Sequence, residues 1–276
     1  TKLGLILGSL LLSQTGFSAV WDYVGAKGPA HWAELNPDYG VCSTGLHQSP
    51  ISIPADVPVV KTDRATINYH LNDEALKEVR NSEAVFPYPV NKKWLVDLNH
   101  DTVEVMIKKP SEKNQLRWQN KDYQLVQFHF HAPAENQLNG QSFPLELHFV
   151  NQATDGSLAV IGVFFKVGAT NPAIDKVLSQ VPSTKDAERD FNHQGLIFPA
   201  EKLLPADHHF YVFPGSLTTP PCSEPVQWFV MKQPIELSSQ QLNEFKKLIG
   251  EGNARPIQAL QDREVVLSKE STILSV

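Results

Sequence analysis

Phenylalanine and histidine alternate in the middle of the chain, where residues 127–131 read Gln-Phe-His-Phe-His. In an extended strand, alternate residues project from the same face, so His129 and His131 point together while the phenylalanines point into the opposite layer. The pattern predicts a strand that is apolar on one side and carries paired imidazoles on the other. Taken alone, such a pair is also compatible with ordinary surface or core histidines.

A second alternating stretch brings a third histidine to the first pair. Residues 145–150 read Leu-Glu-Leu-His-Phe-Val, and an Asn-Gly pair at 139–140 is typical of a two-residue hairpin turn. Pairing across that turn puts His148 directly opposite His131, although prolines make the intervening part irregular. The sequence therefore predicts three imidazoles on one face of a β-hairpin.

Three neutral imidazoles with an open fourth position are typical of a catalytic zinc site, whereas a structural site closes with a fourth protein ligand, usually cysteine. The predicted ligands of Zn²⁺ are His129, His131 and His148, and no cysteine lies near them in the sequence. Glu146 shares the face of His148, so we expect it to accept the N–H of a ligand histidine. The alternative for Glu146 is a satisfied charge at the edge of the strand.

Short runs rich in valine, isoleucine, phenylalanine and tyrosine recur between turn signals and predict a mainly β fold. The predicted strands are 102–107, 123–131, 145–150, 158–167, 209–213 and 226–231. Helical patterns are confined to a few pieces, among them 171–180 and 238–249, the second with Ser238 as N-cap and Gly250 just past its end. We expect these helices to lie at the periphery of a large sheet.

Composition favours one domain with a small-molecule substrate. The 276 residues, 41% of them hydrophobic, suffice for one large core, and the 20 prolines and 15 glycines gather into no linker. The formal net charge is −6 and no long Lys/Arg run occurs. The chain therefore lacks the basic surface with which proteins bind nucleic acid or anionic lipid.

The first residues and the cysteines indicate export. Residues 1–19 carry Lys2, an apolar run and then small residues, the layout of a signal peptide; an uncleaved membrane anchor is the alternative. The mature domain would comprise residues 20–276, periplasmic or secreted, with no membrane association after cleavage. Only Cys42 and Cys222 occur, so in an oxidising compartment one bridge is the only connectivity; the alternative is two buried free thiols.

Further motifs occur in order along the chain. They are Gly-Pro-Ala-His-Trp at 28–32, Gln-Ser-Pro-Ile at 48–51, Gly-Ser-Leu-Thr-Thr-Pro-Pro at 215–221 and Asn-Ala-Arg-Pro at 253–256. Together with the two histidine strands, they resemble the alpha-class carbonic anhydrases over nearly all of the mature length. The resemblance implies an α+β, mainly β, single domain around a large, mostly antiparallel, twisted ten-stranded sheet with short peripheral helices. It also implies a disulfide between Cys42 and Cys222, as in similar bacterial enzymes.

The same resemblance implies an activity and its residues. The activity is reversible hydration of carbon dioxide to bicarbonate and a proton by attack of zinc-bound hydroxide. Glu135 takes the place of the gatekeeping carboxylate and Thr218 that of its partner hydroxyl; an ionised carboxylate only accepts hydrogen bonds, so Thr218 must donate to it. The implied substrate-binding residues are Val150, Val160, Leu217, Thr218, Thr219 and Trp228, and the implied polar residues of the cavity and its water chain are Gln127, Tyr23 and Asn99.

One stretch departs from the family pattern. Where members with fast turnover often have Asn-Gly-His, residues 98–103 read Leu-Asn-His-Asp-Thr-Val. Ungapped alignment places Asp101 at the position of the proton-shuttling histidine, with His100 one place early. An imidazole, with an ordinary pKa of about 6.5, exchanges protons at neutral pH better than a carboxyl group does. We therefore predict His100 as the shuttle; the alternative is an exposed turn residue, with protons leaving through water alone.

Two other functions stay open from the sequence. A non-catalytic zinc-binding or scaffold protein can share the same fold, because fold does not determine function. A zinc hydrolase acting mainly on esters is the second alternative. Bacterial relatives are often dimers, so a homodimer is one expected state of the chain.

Overall fold

A computed structural model describes residues 21–62, 65–69, 76–81, 102–107, 114–182, 188–190, 200–269 and 273–275. The described helices are α1 Trp32–Leu35, α2 Val41–Thr44, α3 Pro172–Leu178 and α4 Ser239–Ile249, with 3-10 turns at Gly25–Lys27, Pro37–Tyr39 and Ala200–Leu203. The strands are β1 Ser52–Ile53, β2 Val59–Val60, β3 Thr66–Tyr69, β4 Leu76–Asn81, β5 Val103–Ile107, β6 Asn114–Trp118, β7 Lys121–His131, β8 Gln137–Leu138, β9 Leu145–Ala153, β10 Leu158–Val167, β11 Glu188–Asp190, β12 Phe210–Gly215, β13 Val226–Met231, β14 Ile235–Leu237, β15 Val266–Ser268 and β16 Ile273–Ser275. All six predicted strands are confirmed.

Within the described residues, fourteen strands form one large sheet. Ten of them lie side by side in the order β11-β4-β5-β7-β9-β10-β13-β12-β15-β2, while β3, β6, β14 and β16 join it as branches. The predicted number of ten therefore corresponds to this continuous row, and the mainly β architecture is confirmed.

The sheet is mixed, which corrects the expectation of a mostly antiparallel sheet in detail: nine of its described strand pairs are antiparallel and four are parallel. β10 runs parallel to β13 and β14, β15 runs parallel to β2, and β16 runs parallel to β3. These partners are separated by long stretches of chain, which gives the backbone room to cross over and return in the same direction. Hairpin neighbours such as β9 and β10 pair antiparallel instead.

The two longest helices among the described residues begin where the sequence predicts, and α4 also ends there, whereas α3 ends at Leu178, two residues before the predicted end. The Asn171 side chain accepts hydrogen bonds from the N–H groups at the start of α3. At α4, Ser238 and Gln241 form a reciprocal capping box. The apolar face of α4 packs behind the histidine strand, where the rings of Phe245 and Phe130 lie 4.7 Å apart. The helix therefore fixes β7 from the side opposite to the histidines.

Alternation along β7 and β9 separates an apolar layer from the histidine face. Phe128, Phe130 and Phe149 are fully buried in the main core. A second apolar cluster, which includes Val160 and Trp228, lies apart from this core. The predicted two-sided strand is therefore confirmed.

A disulfide joins Cys42 to Cys222 across a sequence separation of 180 residues, so the alternative of free thiols is excluded. Closing so long a loop stabilises the folded state by roughly 4–5 kcal/mol in the chain-entropy model. The bridge ties the segment containing α2 to the loop that follows β12. Among the described residues, no helix is both long and apolar enough to cross a membrane.

Candidate metal centre

The register between the two histidine strands differs from the prediction. His129 of β7 lies opposite His148 of β9, and His131 lies opposite Glu146. The predicted pairing of His131 with His148 was therefore wrong by two residues. Because side chains alternate with a period of two, a shift of two keeps every side chain on its predicted face. The three imidazoles still converge.

The shift arises between the turn and the strands. Next to the Asn-Gly turn, Leu138 pairs with Gln141 as predicted. Nearer the histidines, however, the N–H of Ala134 donates to the carbonyl of Phe143. Between these two pairs the first side of the hairpin therefore has two residues more than the second, which shifts the register.

Glu146 holds the extra residues. Its Oε2 accepts the backbone N–H groups of Glu135 and Asn136 at 2.9 and 2.8 Å, and its Oε1 accepts the side-chain amide of Asn136 at 2.8 Å. The carboxylate is fully buried. It thereby organises the segment that carries Glu135, and the edge-charge alternative for Glu146 is excluded.

The three histidines form the one cluster of metal-ligating side chains found among the described residues. One ring nitrogen of each lies within 4.8 Å of the others, and all three side chains are buried. The Nε2 atoms of His129 and His131 are 3.0 Å apart. The group contains no fourth nitrogen or sulfur ligand from the protein. It therefore leaves one coordination position open, which is what a catalytic site requires.

Each histidine has its other ring nitrogen close to an oxygen, and for His129 and His131 the contact is a hydrogen bond, which fixes the ring orientation and the tautomer. The pairs are His129 Nδ1 with Gln127 Oε1 at 2.8 Å, His131 Nδ1 with the Asn253 carbonyl at 2.7 Å, and His148 Nε2 with Glu146 Oε1 at 3.1 Å. The expected carboxylate therefore lies next to His148, although this 3.1 Å contact does not have the geometry of a hydrogen bond.

Burial makes all three rings neutral. It lowers the pKa of His129 and His148 well below the ordinary value and that of His131 to about 4. Neighbouring histidines lower the pKa of His129 further. Neutral imidazoles keep the lone pair that a metal ion needs. Three buried neutral nitrogen donors with oriented rings fit a zinc ion.

Glu135 lies beside the cluster. Its Oε1 accepts the backbone N–H of Arg255 at 2.9 Å, and its Oε2 lies 3.5 Å from His131 Nε2 and 3.9 Å from His148 Nδ1. Burial raises the pKa of Glu135 to about 8, against hydrogen bonds from Arg255 and from the Thr218 side chain. A positive ion among the imidazoles would favour the ionised form.

The predicted apolar residues come together next to the histidines. Val160 lies opposite Val150 on one side and Trp228 on the other, so three strands contribute to one row. Leu217 joins the same cluster. The ring of Trp228 lies 4.9 Å from that of His148. An apolar surface therefore borders the imidazoles.

The other predicted site residues divide into two groups. Thr219 is buried on the loop next to Thr218, and Tyr23 is half-buried with its ring against Trp21 and Trp32. Asn99, His100 and residues 1–19 lie outside the described residues.

Two contacts of the site were missed from the sequence. The Asn253 carbonyl and the Arg255 N–H are main-chain groups, and the Asn-Ala-Arg-Pro motif was the only signal for them. Gly162, directly opposite His148 on β10, was also missed. A β-carbon there would lie 2.9 Å from Glu146 Oε1, so the glycine leaves room for that carboxylate.

We expect Gly162→Ala to weaken zinc binding by about tenfold or more, because it displaces the Glu146 carboxylate from His148. Competition with a fluorescent chelator measures the affinity. Gly40→Ala is the matched control, since the nearest atom to a β-carbon there is 3.6 Å away. A folded Gly162→Ala protein with unchanged zinc affinity would show that Glu146 tolerates the crowding.

Comparisons with known proteins agree with this site. The family model for eukaryotic-type carbonic anhydrases matches residues 27–269. Carbonic anhydrases of Pectobacterium atrosepticum and a Nostoc species are each 35% identical, covering 96% and 89% of this chain and 98% and 85% of their own. The alpha-carbonic anhydrase of Thermovibrio ammonificans, solved with the inhibitor sulfanilamide, superposes with a TM-score of 0.78 at 37% identity, over 91% of this chain and 100% of that one. With a matching family model, similar relatives and a three-histidine centre, the chain belongs to the alpha, or eukaryotic-type, carbonic anhydrase family of zinc enzymes.

Proposed function

We propose that the chain hydrates carbon dioxide reversibly to bicarbonate and a proton at a zinc ion held by His129, His131 and His148. The observation that carries the proposal is the convergence of three buried neutral imidazoles beside an apolar surface. When bound, zinc supplies Lewis acidity that makes water a nucleophile near neutral pH. The three ligand rings would be kept in their orientation by Gln127, Glu146 and the Asn253 carbonyl.

Thr218 and Glu135 are proposed to orient the nucleophile. The Thr218 hydroxyl donates to the ionised Glu135 carboxylate, which leaves the hydroxyl oxygen free to accept a hydrogen bond from the attacking water. Two contacts of Glu135 support this role. Its carboxylate accepts the N–H of Arg255, and its own N–H donates to Glu146, so the side chain is held in place. The lone pair of the nucleophile is thereby directed at the substrate.

The apolar surface is proposed to receive carbon dioxide. The substrate is uncharged and apolar, so Val150, Val160, Leu217 and Trp228 can bind it while excluding water. Thr218 and Thr219, which follow Leu217 along the chain and are buried, are proposed to provide hydroxyl groups to the substrate. Tyr23 and Asn99 are proposed to belong to the water network of the site.

The activity is tested by measuring carbon dioxide hydration and cleavage of a chromogenic ester on one zinc-loaded preparation. We expect hydration to be far faster than ester cleavage, because the site offers an apolar surface and no built pocket for an ester is evident among the described residues. Ester turnover exceeding hydration would instead favour a zinc esterase. Loss of both activities on chelation, and their return with zinc, is the control.

We propose His100 as the residue that passes the proton to solvent; it lies outside the described residues. His100→Ala should slow turnover in dilute buffer by about tenfold or more, because an imidazole both accepts and releases a proton at neutral pH. Added imidazole should restore the rate. Asp101→Ala is the matched control, and unchanged turnover of His100→Ala in dilute buffer would eliminate His100 as the shuttle.

An exported location completes the proposal. Residues 1–19 would be a signal peptide and residues 20–276 the carbonic anhydrase domain, periplasmic or secreted and free of the membrane. The Cys42–Cys222 disulfide supports export, since such bridges persist in oxidising compartments. The homodimer stays a prediction, which light scattering on the purified protein decides.

A further inference from the structure

The segment from Asn253 to Arg255 contacts the site twice. The Asn253 carbonyl accepts the Nδ1–H of His131 at 2.7 Å, and the Arg255 N–H donates to Glu135 Oε1 at 2.9 Å. Both groups belong to the main chain, so no substitution other than one to proline removes either of them directly. Their positions depend on whatever anchors the segment.

The first anchor is the Asn253 side chain. Its Oδ1 accepts the N–H of Ala132 and its Nδ2 donates to the carbonyl of Phe130, each at 2.9 Å. These two groups flank His131 at the end of β7. The side chain is buried. It therefore fastens the Asn253 carbonyl to the same strand that carries the histidine it contacts.

The second anchor is the Arg255 guanidinium, which reaches a different part of the molecule. Its Nη1 donates to Gln48 Oε1 and the Ser49 carbonyl at 2.8 Å, and its Nη2 donates to the Cys42 carbonyl at 2.9 Å. The group also lies 5.5 Å from the centre of the Trp32 ring. These contacts fasten the Arg255 backbone to the segment before β1. A planar fork makes such contacts, and a lysine ammonium cannot reproduce them.

We infer that Asn253 and Arg255 are positioning residues with separate duties. The Asn253 side chain maintains metal affinity through His131, whereas the Arg255 side chain maintains turnover through Glu135. The inference rests on the proposed roles of His131 and Glu135. It is supported by the two anchors having no partner in common, so that each can be released without the other.

The two substitutions should have opposite signatures. Arg255→Met is expected to lower kcat by about 10- to 100-fold at unchanged zinc affinity, and Asn253→Ala to weaken zinc affinity by a similar factor while the zinc-saturated kcat is largely kept. Chelator competition measures zinc affinity, and stopped-flow hydration at saturating zinc measures kcat. Equal loss of affinity and kcat in both variants would overturn the division of roles.

A matched control separates positioning from general destabilisation. Arg263 is also a buried arginine, and it follows Arg255 in the chain. Its guanidinium donates to the Gln48 and Ala259 carbonyls, and no described hydrogen bond joins it to the three histidines or to Glu135. Arg263→Met should therefore keep kcat, even where it lowers the melting temperature. If Arg263→Met reduced kcat as much as Arg255→Met does, the assignment to Arg255 would be wrong.

A double-mutant cycle tests the route through Glu135. Arg255→Met should cause no further loss in a Glu135→Gln background, because residues acting as one unit are not additive. Additive losses would refute the route. If Arg255→Met does not fold, Arg255→Lys takes its place in the cycle with the same expectation. Full turnover of Glu135→Gln alone would instead refute the proposed role of Glu135, and the Arg255 half of the inference with it.

Discussion

Alanine in place of His129, His131 or His148 is expected to abolish carbon dioxide hydration, with a loss of at least about 10³-fold in kcat/KM. Each substitution removes one of three converging nitrogen donors, and among the described residues the group of side chains that could hold a metal ion consists of these three histidines. Zinc content after dialysis, together with the hydration rate, measures the effect.

The three variants should also differ in stability, because each leaves a different buried group without its contact. His148→Ala removes the ring next to the Glu146 carboxylate, and that carboxylate organises the backbone of Glu135. We therefore expect this variant to lose the most stability. His209→Ala is the control: this half-exposed histidine pairs with Asp207 and lies outside the cluster. A ligand variant that retained full zinc and full activity would remove that histidine from the metal site.

Local patterns in the sequence predicted most of this centre. The alternation at 127–131 placed His129 and His131 on one face, and the capping residues of α4 set the helix that supports this strand from behind. Both signals involve residues a few positions apart. Periodicity and capping chemistry are therefore sufficient to predict them.

The strand register could not be predicted, because it depends on hydrogen bonds that a buried carboxylate makes with the backbone between the turn and the histidines. The Asn-Gly turn forms as expected, yet Glu146 holds two extra residues by their N–H groups and shifts the pairing. Rules that predict strand pairing from the residues of a turn do not include hydrogen bonds from a side chain outside that turn. The error was harmless to the metal site only because a shift of two preserves the faces.

The roles of Asn253 and Arg255 escaped prediction for another reason. What touches His131 and Glu135 is a carbonyl and an N–H, groups that every residue of this segment except proline possesses. A main-chain contact leaves no residue type to recognise at the contact itself. Only the Asn253 and Arg255 side chains, which anchor the segment, could have indicated these contacts. Their own partners are remote in the sequence, so sequence patterns do not identify them.

Removing the Thr218 hydroxyl is the second large effect we expect. Thr218→Val keeps the volume of the side chain but deletes the donor to Glu135, so kcat/KM should fall by about 10²- to 10³-fold, as when a preorganised hydrogen-bond donor is lost from an active site. Zinc content should not change, because Thr218 is not among the three converging side chains. Stopped-flow hydration and zinc analysis on the same sample measure both quantities.

Thr218→Ser separates the hydroxyl from the shape of the residue. Serine retains an O–H that can donate to Glu135, so we expect it to keep most of the activity that valine loses. Glu135→Gln should lower kcat/KM by a similar factor, because an amide no longer requires the hydroxyl to act as donor. Since the two side chains are proposed to act as one unit, the Thr218→Val, Glu135→Gln double variant should be no slower than the slower single variant. Multiplying losses would show that the two residues act on the reaction independently, and full activity of Thr218→Val would exclude the hydroxyl from it.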